Sequence, residues 1–453
     1  MADEPDDAAE PDLQEMLRRM MAGGGAPDTA ALAKAMGLPG GAAGLEQLMA
    51  QLRQAMQNPD GRIDWSIATD QAIAAAGAGS LSATDQQLTE VQQAFSVAGL
   101  WLDESTVFDT LPEAPGALTR TQWIRATMPF WVQLAEPVAL RIAESLTSVF
   151  TDQIPPEIAG ELAARVPDAG RMLKQVCGTI FAAQLGAVVG GLAADVVSGG
   201  DVGVPLLPDG KAALLPQNLA AFGEGLDIDQ QQIALYLAVR ELAHARLFRH
   251  ARWLRLGLTS TIGDFSRDLG VDIDQVQRFA EGFDPTDTER LREAFSSGEL
   301  IPPKSAAQEA ALARLETMLA LVEGWVDVVT ADATVRLPKS GAIAETVRRR
   351  RATGGPGEQA FATLVGLELR PRRLREATAM WRTVTDALGA SGRDALWSHP
   401  DLLPTAADID DPAALVARLT APEAPQDDVD REIEAMLRGD APDSPAEDDP
   451  PVV

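Results

Sequence analysis

One cysteine, Cys177, is all the thiol chemistry this 453-residue chain has. A lone thiol excludes an intrachain disulfide and a cysteine-rich zinc site, and it fits a reducing compartment. Lysine is scarce as well, at Lys34, Lys174, Lys211, Lys304 and Lys339, so nearly all the basic residues are arginine. That bias reflects a GC-rich genome rather than chemistry. Lys and Arg total 38 against 67 Asp and Glu, for a net charge of −29. The chain therefore lacks the positive footprint of a protein whose main role is to bind nucleic acid. No Gly-x-Ser-x-Gly elbow, P-loop or Rossmann glycine fingerprint occurs. The N-terminus opens with Asp3, Glu4, Asp6 and Asp7, the wrong charge for a secretory signal, and a cytoplasmic location is expected.

What is present is an ordinary globular composition, 46% hydrophobic and 23% charged, with length enough for a large core. Acidity concentrates at the ends. Residues 1–60 hold 10 acidic and 4 basic side chains, and residues 421–453 hold 11 and 2. The first segment reads as a flexible acidic leader with short amphipathic helices at 12–22 and 45–56. The last reads as a disordered acidic tail with one helix at 428–438. Between them, 61–420 reads as one mainly helical domain. Helix breaks are expected near Pro129, Pro137 and Pro167. Residues 204–215 read as a small β-hairpin around Asp209-Gly210, confined by its prolines to an edge or loop.

Residues 175–194 carry no charge, and Gly186, Gly190 and Ala194 recur every four residues. Length alone would allow a membrane span. The Gly and Ala content favours a core helix that lets a neighbour approach, and no membrane partner is expected.

The chemistry concentrates in Arg240-Glu241-Leu242-Ala243-His244. This has the form of the zinc-peptidase signature H-E-x-x-H, with arginine at the first histidine. Helical residues four apart share a face, so two imidazoles can grip one Zn²⁺ while the glutamate serves as general base. Arginine stays protonated and has no lone pair for a metal. A helix starting near Asp227 or Asp229 and running past His250 turns Arg240 and Glu241 within about 60° of its apolar stripe, with Arg246 and Arg249 on the opposite, solvent side. A second helix over 305–330 turns Glu323 within about 40° of its own stripe. A buried carboxylate needs a partner, which predicts an ion pair between Arg240 and Glu323.

The remaining candidates are weaker. His244 with Glu323 and Asp327 would make only an open, weak metal site. His250 points about 120° from His244 on a continuous helix and is rejected as a ligand. His399 lies at a loop or helix end and is structural. The arginines at 348–351 and at 370, 372, 373 and 375 form two basic groups, a solvated face or an intramolecular partner for acids, and the acidic tail at 427–449 is expected to shield them.

The chain resembles a family of bacterial zincin-like proteins described as zinc-dependent metallopeptidases or hydrolases, one branch of which is associated with cofactor F420 biosynthesis. Residues 240–253 (RELAHARLFRHARW), 323–328 (EGWVDV), 354–375 (GGPGEQAFATLVGLELRPRRLR) and 393–404 (RDALWSHPDLLP) carry the resemblance. It implies a zincin-like helical domain. It places metal-binding histidines at 240 and 244, a base at Glu241 and a third ligand at Glu323. Arg240 departs from that set. The reading is thus a degenerate metallopeptidase homologue, catalytically inactive, with a binding or scaffolding role toward a protein or peptide partner and no cofactor. If metal is bound, His244 and Glu323 are its ligands, and if the chain is active, Glu241 is catalytic. The alternative is a zinc-dependent hydrolase that recruits an unrecognised ligand.

Overall fold

The computed structural model describes residues 63–77, 79, 81–153, 169–267, 304–352, 356–365, 367 and 372–421. The helices expected at 12–22, 45–56 and 428–438, the tail at 427–449 and the position of Pro167 lie outside them. The described residues form thirteen α-helices and a single pair of two-residue strands.

Helix α1 (Ser66–Gly77) lies against α4 (Ala169–Asp195), with α3 (Arg120–Gln153) beside both. The small residues of α4 explain the fit. A Cβ on Gly190 would come within 2.7 Å of the Ala72 carbonyl, and one on Gly186 within 2.7 Å of the Gln71 side chain. Helix α4 is long and apolar enough to cross a membrane, but most of its apolar stretch is buried within the protein. The breaks expected in α3 do not occur, and Pro129 and Pro137 sit inside one continuous helix. An interior proline costs about 3 kcal/mol. Burial of Trp123, Ile124, Met128, Trp131, Leu134 and Val138 along α3 offsets it.

The core of the site is two long helices. Helix α6 (Gln230–His250) is capped by Asp229, whose side chain accepts from the Gln231 amide at 2.8 Å. Helix α8 (Ala306–Ala333) opens with a capping box between Ser305 and Gln308. The two pack together, with α2 (Asp85–Asp103) on the other face of α6 and α11 (Leu374–Ala395) on the other face of α8. The α2 contact corrects one expectation. Arg246 does not face water; it is buried and donates to Asp103 at 2.6 Å and to the Phe108 carbonyl. Helical spacing gives the side of a residue but not what packs there.

The β element before α6 exists but is not a hairpin. Strand β2 (Ala213–Leu214) pairs in parallel with β1 (Gly116–Ala117), about a hundred residues upstream, and Leu214 also bridges antiparallel to Ser198. The 204–207 stretch is not a strand. Its Val204, Leu206 and Leu207 are buried in the core as a loop. Asp209-Gly210 does make a turn, with Gly210 at φ +73°.

Candidate functional site

Arg240, Glu241 and His244 all lie on the buried part of α6 and Glu323 on the buried part of α8. A stripe this polar cannot be left unpaired in a core. Three groups converge on the Glu323 carboxylate. Arg240 and Arg351 both pair with its Oε2. His244 Nε2 faces its Oε1 at 3.1 Å, and His244 Nδ1 has no hydrogen-bond partner. Arg351 comes from α9 (Ser340–Ala352), the helix that ends in the arginine run.

Charge follows the geometry. Burial pushes the Glu323 carboxyl up, but Arg351, Arg240 and His244 outweigh it and hold it well below the usual carboxylate range. Burial lowers the His244 imidazole more than Glu323 raises it, so the ring is neutral. Arg240 stays a cation: burial works against its charge, and Glu323, Tyr236, Asp327 and Asp201 together outweigh that.

Glu241 turns to a different neighbour. Its Oε2 accepts the Gly200 amide at 2.7 Å and its Oε1 the Ala213 amide at 3.0 Å. Those amides belong to the segment that runs from the end of α4 to β2, so Glu241 pins that segment onto α6. Burial pushes its carboxyl up to about 7, against the pull of the Ala213 and Gly200 amides. Gly200 presses against the motif, since a Cβ there would come within 3.0 Å of Glu241 Oε2 and 3.1 Å of His244 Cβ. At Gly203, with φ +84°, a Cβ would come within 3.0 Å of Glu323 Oε1. What space remains is small. One cavity of about 30 Å³ lies among Gly200, Leu207, Glu241, His244 and Phe248. Another of about 10 Å³ lies among Ser198, Asp201, Arg240, His244 and Arg351. Each is on the scale of one or two waters.

The basic run is paired within the fold. Arg348 meets Asp327 at 2.9 Å, Arg349 meets Glu345 at 2.9 Å and Arg350 faces Asp201 at 3.6 Å. Asp327 is therefore held by an arginine. Farther along, Arg372 faces Glu316 and Arg373 pairs with Asp410. His250 stacks on Phe108 at 4.2 Å, away from His244. His399 is exposed and caps a short turn over Pro400–Leu402, its Nδ1 accepting the Asp401 amide at 3.3 Å. The Arg393-Asp394 pair is structural. Asp394 accepts from Trp325 Nε1 at 2.9 Å and from Thr106 Oγ1 at 2.6 Å, fixing the back of α8 to α11 and to the end of α2.

Sequence reasoning missed Arg351 and the Gly199-Gly200 segment. Arg351 reads as one of four surface charges, and nothing local in the sequence separates it from its neighbours in the run. Among the described residues, no group of three or more His, Cys, Asp and Glu side chains is arranged to hold a metal ion.

No curated protein sequence matches the chain. Among solved structures, a candidate hydrolase with a novel fold from Chloroflexus aurantiacus is similar, with a TM-score of 0.54 and 17% identity over 80% of this chain and 99% of that one. At that identity the likeness is one of fold. The model of the family described as zincin-like metallopeptidase matches residues 63–416. By that match, which spans every element of the site, the chain belongs to the zincin-like metallopeptidase family.

Proposed function

We propose that this chain is a pseudoenzyme of its family, catalytically inactive as a peptidase and retained for a binding or scaffolding role toward a protein or peptide partner. One observation carries the reading: the carboxylate of Glu323 is taken up by two guanidiniums rather than free to bind a metal. The residues do not fit zinc. Position 240 offers a permanent cation, Glu323 is ion-paired and Asp327 is held by Arg348. Of the donors a metal would need, only His244 is not paired with an arginine.

The rest of the pocket points the same way. A general base must reach a water and accept its proton. Both oxygens of Glu241 are engaged by backbone amides, and the cavity beside it, about 30 Å³, has room for one or two waters but no peptide. The acidic segments 1–60 and 421–453 flank the family domain and are the natural regions for partner contact. A cytoplasmic setting suits the buried Cys177, whose thiol burial pushes up to about 11, out of reach of redox chemistry at neutral pH. The test is cleavage of a mixed peptide library by the full chain, with and without phenanthroline. Turnover that phenanthroline abolishes would refute inactivity.

A zinc-dependent hydrolase completed by an unrecognised ligand is the second reading. It is favoured by the buried His244, whose Nδ1 lacks a hydrogen-bond partner. It requires Arg240 and Arg351 to leave Glu323, and zinc that is stoichiometric in the wild type and lost in His244→Ala would support it.

A further inference from the structure

We propose that Arg240 and Arg351 act as one unit, two fixed cations that together take the place of a divalent ion at Glu323, so that the site is locked against metal by both. The inference rests on the reading of a metal-free site and adds to it a second, separate lock.

The geometry carries it. Positions 240 and 244 share one helix face, the spacing that grips a single ion when both are histidine. The side chains at both positions meet at Glu323. Arg351 enters the same point from α9 and reaches the same oxygen as Arg240. All three charged side chains are at least nine-tenths buried. One carboxylate needs only one cation for neutrality, so the second arginine is not explained by Glu323 alone. Of the nearby acids, Asp327 has Arg348, Asp201 faces Arg350 and Glu241 is held by backbone amides. Two guanidiniums and one carboxylate leave a local charge of +1. A divalent ion with one carboxylate and neutral imidazoles leaves the same +1. Two arginines thus leave the charge that a divalent ion would leave beside Glu323, and one arginine would leave none.

Arg351 is also held for the task. Its Nη2 donates to the Asp201 carbonyl at 2.8 Å, tying α9 to the 199–203 segment that covers the motif. Against the push of burial, Arg351 does more than Arg240 to keep Glu323 ionised.

Two measurements on the full chain test this. The first is calorimetric titration with zinc alone of Arg240→His and of Arg240→His/Arg351→Met, each shown folded by circular dichroism. The double variant should bind zinc at least tenfold more tightly than the single one. Equal affinity in the two, or no binding by a folded double variant, would overturn the proposal. The second needs no metal and compares Arg351→Met in wild-type and Glu323→Gln backgrounds by urea denaturation. The loss of midpoint should be less than half as large once Glu323 is neutral, and equal losses would overturn it. Stoichiometric zinc in the wild type would sink the metal-free reading itself and is a separate result.

Discussion

The Gly200 amide donates to Oε2 of Glu241 at 2.7 Å, so the motif's acid is a fastener for backbone. The Ala213 amide does the same at Oε1. The glutamate that would activate water in a working peptidase here joins the 197–214 segment to α6.

That role predicts a structural phenotype for Glu241→Ala. The buried Ala213 amide and the half-buried Gly200 amide lose their acceptor, the buried one at about 1–3 kcal/mol. Urea denaturation should report a loss in that range or above. Hydrogen exchange should rise at Gly200 and Ala213 before it rises in α6. Unchanged exchange at those amides would remove the fastener.

Glu323→Ala should cost more. It leaves Arg240 and Arg351 buried without their shared partner, a defect of about 3–5 kcal/mol. Denaturation midpoints would show it, and a loss under 1 kcal/mol would mean that the guanidiniums find other partners.

The two glutamates give opposite pH signatures. Glu323 is held below its unfolded value, so its stabilisation is present at neutral pH and is lost as pH falls through the folded value. Glu241 is pushed up to about 7, so its contribution is complete below the unfolded value of about 4.5 and is lost as pH rises through 7. The stability gap between wild type and Glu241→Gln should therefore narrow between about pH 5 and pH 8. A gap that widens over that window contradicts the assignment.

The contact between α1 and α4 yields a prediction remote from the site. Gly190→Ala would set a Cβ within 2.7 Å of the Ala72 carbonyl, in rigid backbone. Overpacking of this kind costs about 1–3 kcal/mol. Thermal unfolding should register it, whereas Gly191→Ala, whose Cβ meets nothing within 4 Å, should be neutral or better.

Helices were the legible part of the sequence, because 3.6-residue spacing and caps such as Asp229 and Ser305 are local signals. The same spacing turns Arg240 and Glu323 inward, and both are buried. Contacts set by long-range packing were not legible. Arg246 looked exposed until α2 covered it. Strand β2 takes its partner from residues 116–117, which no turn signal near Asp209-Gly210 could reveal. Arg351 belongs to a four-arginine run whose members differ only in which neighbour the end of α9 meets. Prolines misled in α3, where tertiary burial outweighed a local penalty.

The most direct test of the account is the zinc content of wild-type protein purified without chelator, read by mass spectrometry of the native chain. The account predicts zinc far below one atom per chain, unchanged by His244→Ala. One zinc per chain that vanishes in His244→Ala would contradict it.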